Sequence, residues 1–340
     1  MRYRTLGNTG VVVSTQCLGT MTFGQETGEE DAHVQLDRYV EAGGNFVDTA
    51  DVYGRGGSEE IVGRWLATRP GVRAQLVVAT KGRFPTGAGP NDAGLSRAHL
   101  SRALEASLRR LQVDHIDLYQ AHAWDPLTPI EETLAFFDDA VRAGKIRYAG
   151  VSNFVGWQLQ KAALLAGFRH RTPIVTLQPQ YNLLVRDVEL ELVDVCRNEN
   201  IGILPWSPLA GGWLTGKYRR DAIPTGASRL GDDPERGMEA YGPRNGRERT
   251  WQVIDTVRQV AEGRGVSLSQ VALAWVADRP AVTSVILGAR TPAQLEDNLG
   301  AADLQLTDKE TELLTEVSAP TVADYPYGRP GAEQRARHLP

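Results

Sequence analysis

The sequence predicts an α/β fold: a (β/α)8 TIM barrel with an N-terminal β-hairpin and a long loop after its seventh strand. Three observations carry this expectation. About eight short runs rich in Val, Ile and Leu alternate with segments of helical periodicity. The runs are continuously apolar, as strands are when other structure covers both of their faces. No break in composition divides the alternation, so one barrel suits the 340 residues better than two domains.

Taken in order, Asn8-Thr9-Gly10 between 3–6 and 11–13 reads as a hairpin turn joining two short strands. Barrel strands are expected near 16–19, 45–48, 75–80, 115–120, 146–151, 174–178, 201–205 and 284–286. Helices are expected near 31–42, 58–68, 97–111, 130–143, 156–166, 187–198 and 249–263, with two more at 269–278 and 292–299. Ser96 caps the third helix, Thr128-Pro129 opens the fourth and Thr291-Pro292 opens the last. Gly43-Gly44, Gly144 and Gly167 read as helix stops. Two segments break the rhythm. The stretch 207–247 is rich in Gly, Arg, Pro and Asp, and so long a loop is expected to be a functional lid or partly disordered. The stretch 319–340, with four prolines, is expected to be an extended or mobile tail, leaving 1–318 as a single domain.

Composition narrows the functional classes. With 41% hydrophobic and 23% charged residues the chain is globular. A net charge of −5 without a basic stretch argues against nucleic acid or an anionic membrane as partner. No apolar run approaches the roughly 20 residues that span a bilayer, and the N-terminus has no apolar signal core. Cys17 and Cys196 lack metal-ligand spacing, so neither a disulfide framework nor a metal site is indicated. A soluble, cytoplasmic protein of enzyme size is the expectation.

Polar residues arrive one at a time at the ends of the strand-like runs. Asp48 ends the second run and leads through Thr49-Ala50-Asp51-Val52 to Tyr53; Lys81 follows the third and His122 the fourth. Singly, each has an ordinary explanation. Asp48 or Asp51 would cap the next helix, Tyr53 would pack at a loop, Lys81 would be a solvated strand end, and His122 an interior imidazole. Jointly they occupy the strand C-termini, the face that carries chemistry in this architecture. A phenol titrating near ~10 is a weak acid at neutral pH. A lysine beside it favours the phenolate and an aspartate holds the lysine, so the set reads as one acid and its tuning groups. His115 precedes its strand, at the opposite end, and reads as structural. Gly211-Gly212-Trp213-Leu214-Thr215-Gly216-Lys217-Tyr218 nearly spells a phosphate-binding loop, but Tyr218 replaces the Ser or Thr that would reach magnesium.

Extended motifs around these residues resemble the aldo-keto reductases, in the branch similar to aryl-alcohol dehydrogenases and potassium-channel β subunits. The resemblance rests on Leu18-Gly19-Thr20-Met21-Thr22-Phe23-Gly24, on Phe46-Val47-Asp48-Thr49-Ala50-Asp51-Val52-Tyr53-Gly54 and on Thr80-Lys81. It continues through Asp117-Leu118-Tyr119-Gln120-Ala121-His122, Gly150-Val151-Ser152-Asn153-Phe154, Gln178-Pro179-Gln180-Tyr181-Asn182 and Pro205-Trp206-Ser207-Pro208-Leu209, running from Tyr3 to about Asp303.

The resemblance implies a catalytic tetrad of Asp48, Tyr53, Lys81 and His122. Hydride would pass from the C4 carbon of a reduced nicotinamide to a carbonyl carbon, with Tyr53 donating the proton and His122 orienting the oxygen. It places Gly19, Thr20, Met21 and Asp48 beside the cofactor, with Ser152, Asn153 and Gln178 on the nicotinamide amide and Trp206 stacked on its ring. Ser207, Leu209 and Gly211 would follow the pyrophosphate, with Lys217 as counter-charge. The segment from Gly288 to Asn298 would hold the adenosine end at a helix N-terminus. There the chain departs from the best-known members: Gly288 and Gln294 stand where a lysine and an arginine would face the 2′-phosphate. Arg290 is the remaining candidate cation, so NADPH is expected, with NADH as the alternative. A mouth lined by Phe23, Tyr53, Phe84, Trp124 and parts of the loop 213–241 leans toward aromatic or apolar aldehydes, ketones being the wider class. The rival implication is a cofactor-binding redox sensor or interaction subunit with little turnover. An isomerase or lyase acting on phosphorylated substrates shares the fold but not the tetrad with Trp206. A small carbonyl compound is the expected partner, and a homo-oligomer is compatible with the sequence.

Overall fold

The computed structural model describes residues 1–226 and 228–336. The hairpin pairs β1 (Tyr3–Thr5) antiparallel with β2 (Val12–Ser14). Eight parallel strands follow: β3 (Gln16–Gly19), β4 (Phe46–Asp48), β5 (Val77–Gly82), β6 (Ile116–Ala121), β7 (Ile146–Ser152), β8 (Ile174–Gln178), β9 (Gly202–Ile203) and β10 (Val285–Leu287). They pair in sequence order from β3 to β9, and β10 pairs with β3. The ring closes between β9 and the approach to β10: Ile203 N donates to Ala281 O at 2.8 Å, Thr283 N to Ile203 O at 2.9 Å and Ile286 N to Pro205 O at 3.0 Å. The regular part of β9 stops two residues before Pro205, which has no N–H to contribute.

Alternation along the strands divides two cores. Phe46, Val77, Ala79 and Leu118 join Cys17 and Ile286 in a cluster inside the ring. Their neighbours Val47, Val78 and Tyr119 pack outward on the helices, in the cluster that holds Leu36, Ile61 and Leu104. Continuing the inward series along each strand gives Asp48, Lys81, Gln120 and His122, all at the C-terminal rim. A period of two thus converts an apolar interior into a polar mouth.

The other end is sealed by the hairpin. Leu6 and Val13 are fully buried in the interior cluster. Gly7 (φ 54°) lies so close to β8 that a Cβ there would sit 2.2 Å from Val175 O. Arg4 Nη1 donates to Ala277 O and Val282 O, both at 2.6 Å, tying the hairpin to the closing segment.

The expected helices are present, with bounds close to those read from the sequence. Ser96 and Thr291 cap as expected, accepting from His99 N and Gln294 N. Gly167 is not a stop: its helix runs Gly156–Phe168, and His170 takes the left-handed turn at φ 50°. A helix at Asp308–Val317, unread in the sequence, opens with reciprocal Thr307–Glu310 capping. Within the segment expected as a tail, Arg329–Arg335 is helical; residues 337–340 lie outside the described residues. Among the described residues no helix is long and apolar enough to cross a membrane.

The loop after β9 has a core of its own. Trp213 is fully buried, stacks on Tyr241 with centroids 5.5 Å apart, meets Trp251 edge-on at 5.7 Å and donates Nε1 to Glu239 O at 3.0 Å. Glu239 in turn holds Arg244 at 2.8 Å. Trp213 and Tyr241, which bound the stretch of loop expected to contribute to the mouth, are themselves its interior.

Candidate active site

Lys81, the last inward residue of β5, is fully buried and donates three hydrogen bonds, matching its three N–H groups. Its Nζ lies 2.6 Å from Asp48 Oδ2, 2.7 Å from Thr49 O and 3.3 Å from Tyr53 Oη. The other carboxylate oxygen of Asp48 accepts from Gln178 Nε2 at 2.9 Å and Gln120 Nε2 at 3.3 Å. Tyr53 reaches Lys81 because the chain turns sharply after β4: Gly54, Arg55 and Gly56 all have positive φ (58°, 56° and 95°) before the helix Gly57–Ala67. The Lys81 ammonium also lies 4.9 Å from the Tyr53 ring centroid.

Burial disfavours the Lys81 ammonium, but Asp48 and Tyr53 outweigh it and hold its pKa above the ordinary lysine value. For Tyr53 the balance runs against expectation. Burial of the phenol exceeds the lowering by Lys81, so its pKa lies above the usual tyrosine value rather than below it. Lys81 acts in the expected direction without winning. His122 is pushed down to about 2 by burial, then by the charges of Lys81 and Arg83, and is neutral at working pH. Its ring meets Tyr53 edge-on with centroids 5.8 Å apart, and its Nδ1 is buried without a partner.

Aromatic side chains extend from His122 toward solvent. Phe84 contacts the imidazole edge-on at 4.6 Å, and Trp124 packs at 5.2 Å from both Phe154 and Trp157. Trp157 is 59% exposed and was missed by sequence reading, although it opens the helix that follows Ser152-Asn153-Phe154. Phe23, expected at this mouth, is fully buried in the outer core. The turn formed by Phe23 N to Thr20 O (3.0 Å) and Gly24 N to Thr27 O (2.9 Å) directs it inward.

On the side of β7 and β8, Ser152 Oγ donates to Gln178 O at 2.8 Å, and Asn153 Nδ2 to His122 O at 2.9 Å. The half-buried Trp206 donates Nε1 to Asn153 Oδ1 at 3.0 Å. Beyond it, Ser207, Ala210, Gly211 and Gly212 have φ of 52°, 49°, 63° and 99°. This run folds on itself, with Ala210 N donating to Ser207 O at 2.9 Å, Gly211 N to Ser207 Oγ at 3.2 Å and Gly212 N to Leu209 O at 2.9 Å, and the non-glycine positive-φ members carry strain. Leu209 is half-buried within that run. On β3, a Cβ on Gly19 would meet Ile286 at 2.6 Å, Thr20 Oγ1 is engaged with Asp48 O and Ser58, and Met21 is exposed.

Arg290 is less free than the sequence suggested. Its Nη2 lies 2.8 Å from Asp232 and 3.5 Å from Glu26, which also binds Arg236 at 2.7 Å. Gln294 Oε1 accepts from Arg290 N at 2.9 Å, and Asn298 Nδ2 donates to Gly288 O at 3.2 Å. Arg229, unread in the sequence because it sits in the irregular loop, joins this group with its buried Nε unpartnered. Partial burial and the charges of Arg290 and Arg229 hold the Lys217 pKa below the usual lysine value. Converging cations of this kind suit a phosphorylated ligand. The near P-loop has no strand–loop–helix setting: 210–215 is a kinked 3-10 segment whose Gly211 O accepts from Tyr218 Oη. His115 Nδ1 lies 2.6 Å from Asp114 at the start of β6, at the opposite end from Tyr53.

The sequence model of the aldo/keto reductase family matches residues 16–319. The chain belongs to the aldo/keto reductase family. Among its relatives is YrpG, an uncharacterized oxidoreductase of Bacillus subtilis, 39% identical over 93% of this chain and 96% of that protein. A probable voltage-gated potassium channel subunit beta of Arabidopsis thaliana is 37% identical over 89% and 92%. A versiconal hemiacetal acetate reductase of Aspergillus parasiticus is 30% identical over 94% and 98%. This aldo/keto reductase is therefore an oxidoreductase, with Asp48, Tyr53, Lys81 and His122 gathered at the C-terminal mouth of the barrel.

Proposed function

We propose that this aldo/keto reductase reduces aldehydes, and some ketones, to alcohols with NADPH, Tyr53 giving the proton. The observation that carries the reading is Lys81, fixed between Asp48 and Tyr53 with a neutral His122 beside the phenol. The residues present suit a nicotinamide dinucleotide. Trp206 offers a partly open ring, and Lys217, Arg229 and Arg290 form a cationic end. Ser152, Asn153 and Gln178 would hold the nicotinamide amide, and Trp206 would cover its ring. When bound, the reduced cofactor supplies a hydride to the carbonyl carbon.

The chain's own groups do the rest. Negative charge grows on the carbonyl oxygen, and the Tyr53 hydroxyl transfers its proton to that oxygen. Lys81 stabilises the phenolate left behind, and Asp48 keeps the ammonium from turning away. The single proton of a neutral His122 belongs on Nε2, where it donates to the same oxygen. Leaving Nδ1 as a bare acceptor in its buried site costs less than burying an unsatisfied N–H there.

The test is loss of reduced-nicotinamide absorbance with a panel of aldehydes, in parallel with NADPH and NADH. Turnover supports the reading. Tight NADPH binding with no turnover across the panel sinks it and favours a sensor or subunit role, the direction in which the Arabidopsis relative points.

A further inference from the structure

Arg83 follows β5 directly, two residues after Lys81. Its side chain is partly buried, and among the described residues no carboxylate lies within ion-pairing distance of it. Asp125, which senses its charge, is engaged elsewhere: it accepts from Leu95 N at 2.8 Å, Leu127 N at 3.0 Å and Thr128 Oγ1 at 2.6 Å. Arg83 Nη2 donates to Trp124 O at 3.2 Å, and its Nε is buried with no partner. The guanidinium carbon lies 4.9 Å from the Phe84 ring centroid, and the same ring meets His122 edge-on at 4.6 Å.

Two costs are visible here. A half-buried guanidinium without a counter-ion, and with its Nε buried and unpartnered, loses hydration that one carbonyl replaces only in part. The backbone at Arg83 has φ 151°, in the range that favours glycine, and is pinned there by Gly94 N donating to Arg83 O at 2.8 Å. Strain and uncompensated charge held together beside a reaction centre point to a ligand. The ligand is an anion, because five N–H donors converge on no acceptor but one carbonyl.

We propose that Arg83 is the counter-ion for a carboxylate carried by the substrate, so that the preferred substrates are aldehydes bearing an anionic group about one benzene ring away from the carbonyl. This rests on the reductase reading above. The spacing follows from Phe84: the separation of guanidinium and imidazole is at most the sum of their distances to its ring, a span that one benzene ring bridges. Trp124, whose carbonyl holds the guanidinium, would flank the intervening apolar part of such a molecule.

The experiment measures kcat/KM with NADPH for 3- and 4-formylbenzoate against their methyl esters, in the unmodified protein, Arg83→Gln and Arg83→Lys. Gln retains an N–H for Trp124 O, so the wall of the mouth is kept. The carboxylates are expected to exceed the esters by about 10- to 100-fold, the range of a charge-assisted hydrogen bond. That ratio should fall toward one in Arg83→Gln, recover in part in Arg83→Lys, and shrink with added salt. A ratio of one or less in the unmodified protein, or an unchanged ratio in Arg83→Gln, overturns the assignment while leaving the reductase reading intact. Calorimetric binding of isophthalate and of dimethyl isophthalate supplies a readout without turnover. Should no aldehyde be reduced while isophthalate binds and Arg83→Gln abolishes that binding, the anion site stands and the reductase reading falls. Absence of isophthalate binding together with absence of turnover removes both.

Discussion

Asp51 stands two residues before Tyr53, 3% exposed, with neither carboxylate oxygen partnered. Burial and the nearby Glu59 push its pKa up to about 7. The unfolded value is near ~3.9, so between the two the folded chain binds the extra proton, and stability falls as pH rises through about 7. Asp51→Asn should therefore flatten the stability profile and gain on the order of 2–4 kcal/mol at pH 8. Urea unfolding at pH 5 and pH 8 decides it; a slope unchanged by the substitution contradicts the account. Lys81 poses the opposite case. Lys81→Met leaves Asp48 buried and unpaired, and should cost about 3–5 kcal/mol in the same assay. Tyr53→Phe keeps the ring but removes the acid, so kcat should fall at least ~10²-fold with NADPH affinity retained; carbonyl reduction at the parental rate would remove Tyr53 from its role. Individual side chains were legible where a strand placed them: the inward alternation brings Asp48, Lys81 and His122 together as read. Phe23 was not, because a five-residue turn, not a strand, sets its direction. The sign of the Tyr53 shift was not legible either, since it depends on how deeply the phenol is buried.

Among the elements, the hairpin has the clearest role. Its turn was legible from Asn8-Thr9-Gly10, but its position under the barrel was not, because nothing local says where Leu6 and Val13 pack. Gly7→Ala would force a left-handed alanine against Val175 O, and should destabilise by about 1–3 kcal/mol in thermal or urea unfolding. The loop after β9 shows the limit of periodicity. Its order comes from one buried tryptophan and its aromatic neighbours, not from a repeating pattern, so no helical or strand periodicity was legible there. The Thr307–Glu310 capping pair is the reverse case, a readable signal that was passed over.

For the whole molecule, the charged cluster proposed to set cofactor choice is drawn from distant segments: Glu26 after β3, Lys217, Arg229, Asp232 and Arg236 in the loop, and Arg290 after β10. Arg229→Ala and Arg290→Ala should each raise the NADPH KM far more than the NADH KM, by about 10- to 100-fold for a lost phosphate contact. Equal effects on both cofactors would place the 2′-phosphate elsewhere. At 100-fold excess over its Kd, NADPH should stabilise the chain by about 2.7 kcal/mol, raising Tm by roughly 5 °C. The barrel itself was legible because eight strand–helix units repeat without interruption. The cationic end was read at Lys217 and Arg290 but not at Arg229, which lies in the irregular loop.

The ring is closed by pairing a strand near the beginning of the chain with one near its end, β3 with β10. At about 5–20 residues per second, a ribosome needs roughly 10–50 s to deliver β10 after β3 has emerged. Through that interval the outer edge of Gln16–Gly19 has no neighbour, and the nascent sheet presents an open row of peptide groups. Every truncated or stalled product keeps that edge. The cell therefore meets this protein first as a sticky half-ring, and its yield depends on how well that edge is shielded until the last strand arrives.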